Sequence, residues 1–126
     1  MTKELTDLKE NLTPYINEIF ARKAERVTAI DVRKLTYYTD AIIVVTATSS
    51  RQASSIAENV YINLKKVNIM PLGIEGLQEG NWALLDFGDV IIHVFNKETR
   101  DFYDIEGLWA DAPRLDLSEF DKDSSL

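Results

Sequence analysis

A chain of 126 residues with 45% apolar and 28% charged side chains is long enough for one hydrophobic core and too short for two. With no cysteine and a single histidine it excludes a disulfide framework and argues against a tetrahedral zinc site, whose ligands are Cys and His. The net charge of −7 is uneven: residues 1–74 carry +2 and residues 75–126 carry −9, so a face built from the second half repels phosphate backbones and attracts basic partners. The amino terminus resembles neither a signal nor a transit peptide, and no apolar run approaches the ~20 residues that span a bilayer, so a cytoplasmic protein without membrane contact is expected.

Leu5, Leu8, Leu12, Ile16, Ile19 and Phe20 recur at helical spacing, interrupted by Pro14. Proline is best tolerated in a first helical turn, and Thr13 is a suitable N-cap, so the main helix is expected from Pro14 to Lys23. Residues 1–12 then read as an extension outside the domain. Arg26 to Val32 is a strand rich in β-branched residues, and Ala41 to Thr46 (AIIVVT) has the continuous apolar pattern of a strand buried on both faces. Ser49 with Gln52 forms a capping box, opening a helix whose face is Ala53, Ile56, Ala57, Val60 and Leu64 and which reaches Lys66. Met70 to Ile74 is a short strand followed by a glycine-containing loop. Trp82 to Asp86 and Val90 to Phe95 form a hairpin about Phe87-Gly88.

Lys97 to Trp109 is expected as one last helix ended by Ala112-Pro113, with residues 114–126 an acidic, mobile tail. The whole is a single α/β domain, residues 13–113, around a five-stranded mixed sheet flanked by helices.

Chemistry is sparse. None of the five glycines lies in a Walker loop or a dinucleotide fingerprint. A Ser-His-Asp triad would need His93, which sits inside a strand, where histidine ordinarily serves core or face hydrogen bonding. Asp86 and Asp89 flank a turn that Asp side chains commonly cap. Asp104 and Glu106 have a two-metal spacing, yet on a helix residues i and i+2 diverge and cannot share an ion. No cofactor, metal site or catalytic group is expected. What stands out is an aromatic and charged group in the acidic half, with both tryptophans, of the residue types that carry interface energy.

The stretches Thr48-Ser49-Ser50-Arg51-Gln52, Trp82 to Phe95 (WALLDFGDVIIHVF) and Arg100 to Trp109 (RDFYDIEGLW) resemble the ribosomal silencing factor family, the Iojap-like proteins. Ala41, Ala47 and Ile105 depart from the usual family residues at positions that suit packing adjustments. The resemblance implies a fold akin to nucleotidyltransferases without their active site. It also implies a non-enzymatic function: binding ribosomal protein fourteen of the large ribosomal subunit, so that the small subunit cannot dock and translation is repressed under nutrient limitation. The partner-binding residues it carries over are Trp82, Asp86, Asp89, His93, Arg100, Tyr103, Leu108 and Trp109. It further suggests a homodimer of the free protein. The alternative, from fold analogy alone, is a nucleotidyltransferase-like nucleotide-binding protein or enzyme.

Overall fold

The computed structural model describes residues 3–120, with side chains from residue 7 onward. Helix α1 (Lys3–Ala21) leads into the antiparallel pair β1 (Arg26–Asp31) and β2 (Ala41–Ala47), then α2 (Ser50–Lys66). Strands β3 (Gly73–Glu75), β4 (Trp82–Asp86) and β5 (Val90–Asn96) follow, and two short helices, α3 (Lys97–Tyr103) and α4 (Ile105–Leu108), come after β5. The sheet order is β1-β2-β5-β4-β3, with β2 and β5 parallel and every other pair antiparallel. The domain is thus α/β with a mixed five-stranded sheet, as expected.

Alternation along the strands divides the apolar residues between two faces. Ile43, Val45, Leu85, Ile92 and Val94 meet α1 and α2 in the larger core, while Ile30, Ile42, Val44 and Phe95 face the other way. Every residue of β2 is buried, because both of its faces are covered at the centre of the sheet. Helix α2 starts at N-cap Ser49, whose Oγ accepts from the Gln52 amide at 3.0 Å. The return arm of the cap lands one residue earlier than expected: Gln52 Oε1 accepts from the Thr48 amide at 2.6 Å and from the Thr48 hydroxyl at 2.9 Å.

Strand β3 begins at Gly73 instead of Met70, and three larger differences from the sequence reading concern the two ends of the domain and its last helix. Helix α1 runs through Pro14 without stopping, and Thr13 is not its cap; the Thr13 hydroxyl donates to the Lys9 carbonyl at 3.0 Å. An interior proline costs about 3 kcal/mol. Burying Leu8 and Leu12 in the core, each contributing roughly 1.5–3 kcal/mol, offsets it. Residues 7–12 therefore belong to the domain.

At the other end, residues past 113 also pack. Pro113 and Leu115 hydrogen-bond β1 through Asp31 N–H and Ala29 C=O, both at 2.9 Å, and Leu115 is buried. Glu119 pairs with Lys9, and Phe120 packs on the core. The part of the expected tail at residues 121–126 lies outside the described residues.

The expected single last helix is broken at Asp104, which takes a left-handed conformation (φ 46°, ψ 56°). Asp104 ends α3 and caps α4, its carboxylate accepting from the Gly107 amide at 3.1 Å. Asp and Asn tolerate this region because a short polar side chain can hydrogen-bond locally.

Candidate functional site

The sheet face away from α1 and α2 carries Trp82, Leu84 and Asp86 on β4 and Ile91, His93 and Phe95 on β5, which alternation puts side by side. Helices α3 and α4 cover only one end of it. Next to them a cavity of about 660 Å³ remains, lined by Ile42, Leu84, Ile91, His93, Ile105 and Trp109 among others.

Trp82, His93, Tyr103 and Trp109 converge here. Trp82 Nε1–H donates to His93 Nδ1 at 2.9 Å, so the neutral imidazole carries its proton on Nε2. Burial at 8% exposure lowers the His93 pKa to about 4, because a charged imidazolium would be stranded beneath the indole. The Trp82 ring lies 4.6 Å from that of Tyr103 and 5.1 Å from that of Phe95, a continuous aromatic stack. Trp109 is half-buried and packs on the smaller core of the sheet's second face. Leu108, 74% exposed on α4, stands outside this stack in solvent.

Arg100 has a different place from the one expected of a contact residue. It is 3% exposed and points inward. Its Nε donates to Glu106 at 2.8 Å, one terminal nitrogen donates to the Arg26 carbonyl at 3.1 Å and to the Thr46 hydroxyl, and the other reaches the Thr28 hydroxyl at 3.0 Å. The planar fork thereby ties α3 and α4 to β1 and β2. The hydrogen bond from Arg100 is the main cause holding the Glu106 carboxyl below its ordinary range.

Asp86 reaches the edge of the cavity and also caps its own turn, accepting from the Gly88 amide at 2.8 Å. Asp89 does not join the group. Its carbonyl accepts from the Asp40 and Ala41 amides, and its charge acts on Tyr15 in α1, whose hydroxyl pKa is raised first by burial and then by Asp89. Phe102, 81% exposed, extends the aromatic surface beyond Tyr103, itself 47% exposed, with ring centroids 5.0 Å apart. Phe102 is absent from the expected contact residues; within one continuous helix over Lys97 to Trp109 a spacing of three would put it on one face with Ile105 and Leu108, and the break at Asp104 separates them. The sequence reading also missed Leu84 and Ile91, although alternation from Trp82 and His93 pointed to both.

Residues 6–125 match the family described as ribosomal silencing factor during starvation. The chain belongs to the ribosomal silencing factor family. It is similar to the ribosomal silencing factor of Halalkalibacterium halodurans, 32% identical over 109 residues that cover 86% of this chain and 93% of the relative. It is likewise similar to that of Chromobacterium violaceum, 40% identical over 87 residues covering 69% and 71%. A crystal structure of a Chromobacterium violaceum protein matches with a TM-score of 0.74 at 34% identity, covering 87% of both chains.

Among the described residues, no three His, Asp or Glu side chains gather as a metal site, and no helix is long and apolar enough to cross a membrane.

Proposed function

We propose that this chain binds the large ribosomal subunit through its ribosomal protein fourteen and prevents the small subunit from joining. The mechanism is steric and needs no catalysis or cofactor, and the site of action is the cytoplasm. The observation that supports this reading most is the exposed aromatic and aliphatic set Phe102, Tyr103 and Leu108, held beside a half-covered sheet face in a family member. Large side chains on a rigid frame, rimmed by acidic residues, suit a basic protein surface: the apolar centre supplies affinity and the charges set register and association rate.

The test is co-sedimentation with purified large subunits, followed by a subunit-joining assay. The protein should pellet with the large subunit and reduce the yield of joined ribosomes. Phe102→Ala and Leu108→Ala, which leave the core untouched, should each weaken binding about 30-fold, as expected for a loss of ~2 kcal/mol at an interface anchor. Protein that stays in the supernatant while subunits pellet refutes the proposal. Sedimentation equilibrium of the free protein tests the expected homodimer, and a dimer that hides Phe102 and Leu108 would compete with the ribosome for the same residues.

A further inference from the structure

Gly73 is a glycine that the backbone does not require. Its φ lies outside the left-handed region, and a Cβ built on it would meet nothing within 4 Å. Glycine weakens a strand, and where it persists it ordinarily marks a bulge, a bend or a close approach by another molecule. In β3 the first two explanations are missing, since Gly73 pairs in regular antiparallel register with Asp86. Gly73 lines the cavity, and its missing side chain keeps that end of it open.

Register defines what surrounds the opening. Glu75 sits opposite Leu84, and Leu84 opposite His93, so Gly73, Glu75, Leu84, Asp86, Ile91 and His93 share one face. The cavity therefore has an apolar wall of Leu84 and Ile91, two carboxylates at its β3 end, and His93 inside. His93 Nδ1 is used by Trp82, and among the described residues its Nε2–H has no protein acceptor.

We propose that this cavity is a socket for one lysine or arginine side chain of the protein partner, its charged end lying over Gly73's bare backbone. The aliphatic stem lies on Leu84 and Ile91, the cation meets Glu75 and Asp86, and His93 Nε2–H donates to a main-chain carbonyl of the inserting segment. Dimensions agree: His93 and Glu75 are two strands apart, about 10 Å. A carbonyl at one end and a cation about 6 Å of stem away span that gap. Acidic rims exclude a phosphate or carboxylate occupant. This inference rests on the reading of a basic protein partner, and it names the side chain that the face selects.

The experiment has two arms. In the first, two-dimensional amide NMR of the full chain follows titration with n-butylguanidinium, with n-pentanol and butanesulfonate as neutral and anionic probes. Saturable shifts at Gly73, Glu75 and the Trp109 indole are expected with butylguanidinium only, lost in Gly73→Leu and weakened at least tenfold in Glu75→Gln/Asp86→Asn. Equal shifts with pentanol, or shifts that survive Gly73→Leu, overturn the socket. In the second arm Gly73→Leu, with an unchanged circular dichroism spectrum, should fail to pellet with large subunits that the native chain binds. If both pellet alike, the socket falls and ribosome binding stands; if neither pellets, the ribosome reading falls and the NMR arm still decides the socket.

Discussion

Replacing Arg100 by methionine keeps most of the stem volume and removes the fork that joins α3 and α4 to the sheet. Four acceptors each lose one donor: Glu106, the Arg26 carbonyl and the hydroxyls of Thr28 and Thr46. Breaking a buried ion pair by removing one partner costs roughly 3–5 kcal/mol, since the remaining charge is left uncompensated. The Glu106 side chain is 20% exposed and keeps the Arg26 guanidinium at 3.9 Å, so it is not left wholly uncompensated and the lower end, about 3 kcal/mol, applies. For a domain of this length the unfolding entropy is about 0.26 kcal/mol/K, so the melting temperature should drop by about 11 °C. Arg100→Lys restores charge without the fork and should lose about half as much. Urea unfolding followed by tryptophan fluorescence measures these values, and a double-mutant cycle with Glu106→Gln isolates the pair. An Arg100→Met variant within 1 kcal/mol of the native chain, the range of a surface substitution, would refute the clamp.

Acid sensitivity should reveal His93. Its folded pKa of about 4 lies below the ordinary 6.5, so between those values the unfolded chain binds a proton that the folded chain does not. Stability from this group is complete above pH 6.5 and falls by roughly 3 kcal/mol as pH drops to about 4. Asp31 and Glu106, whose folded pKa values are lowered, withdraw their contribution only at more acid pH, so His93→Gln should flatten the upper part of the curve in denaturant titrations. Leu12→Ala should cost about 2–5 kcal/mol by thermal unfolding, whereas a residue of a dispensable extension would cost almost nothing. Asp104→Ala should lose about 1–2 kcal/mol through the cap and the left-handed backbone, while Asp104→Asn stays near native; equal losses would mean that the cap is not what fixes the break.

The central elements were legible because their signals are local and redundant. The β-branched run of β2 and the capped apolar face of α2 depend on few distant contacts. Helix α1 was misread at Pro14 because the compensating burial of Leu8 and Leu12 comes from tertiary packing. The break at Asp104 was hidden because periodicity carries no record of a left-handed residue at a position where Asp is tolerated. The chemistry of the last segment misled in a related way: Arg100 has the composition of an interface anchor, and its destination depends on two threonines, Thr28 and Thr46, more than 50 positions away. Trp82 and His93 were legible as neighbours by alternation, but the cavity between them and β3 depends on sheet order, which the sequence pattern did not supply.

The packing of residues 113–120 on β1 and α1 bears on biosynthesis. Residues 113–115 close the outer edge of β1, and Glu119 and Phe120 fasten onto the Lys9 region of α1. Domains fold as units as the chain emerges during synthesis. Here the nascent chain exposes an open strand edge and an unlatched first helix until residues 113–120 have been made. The domain can therefore close on itself only after residues 113–120 have been synthesised.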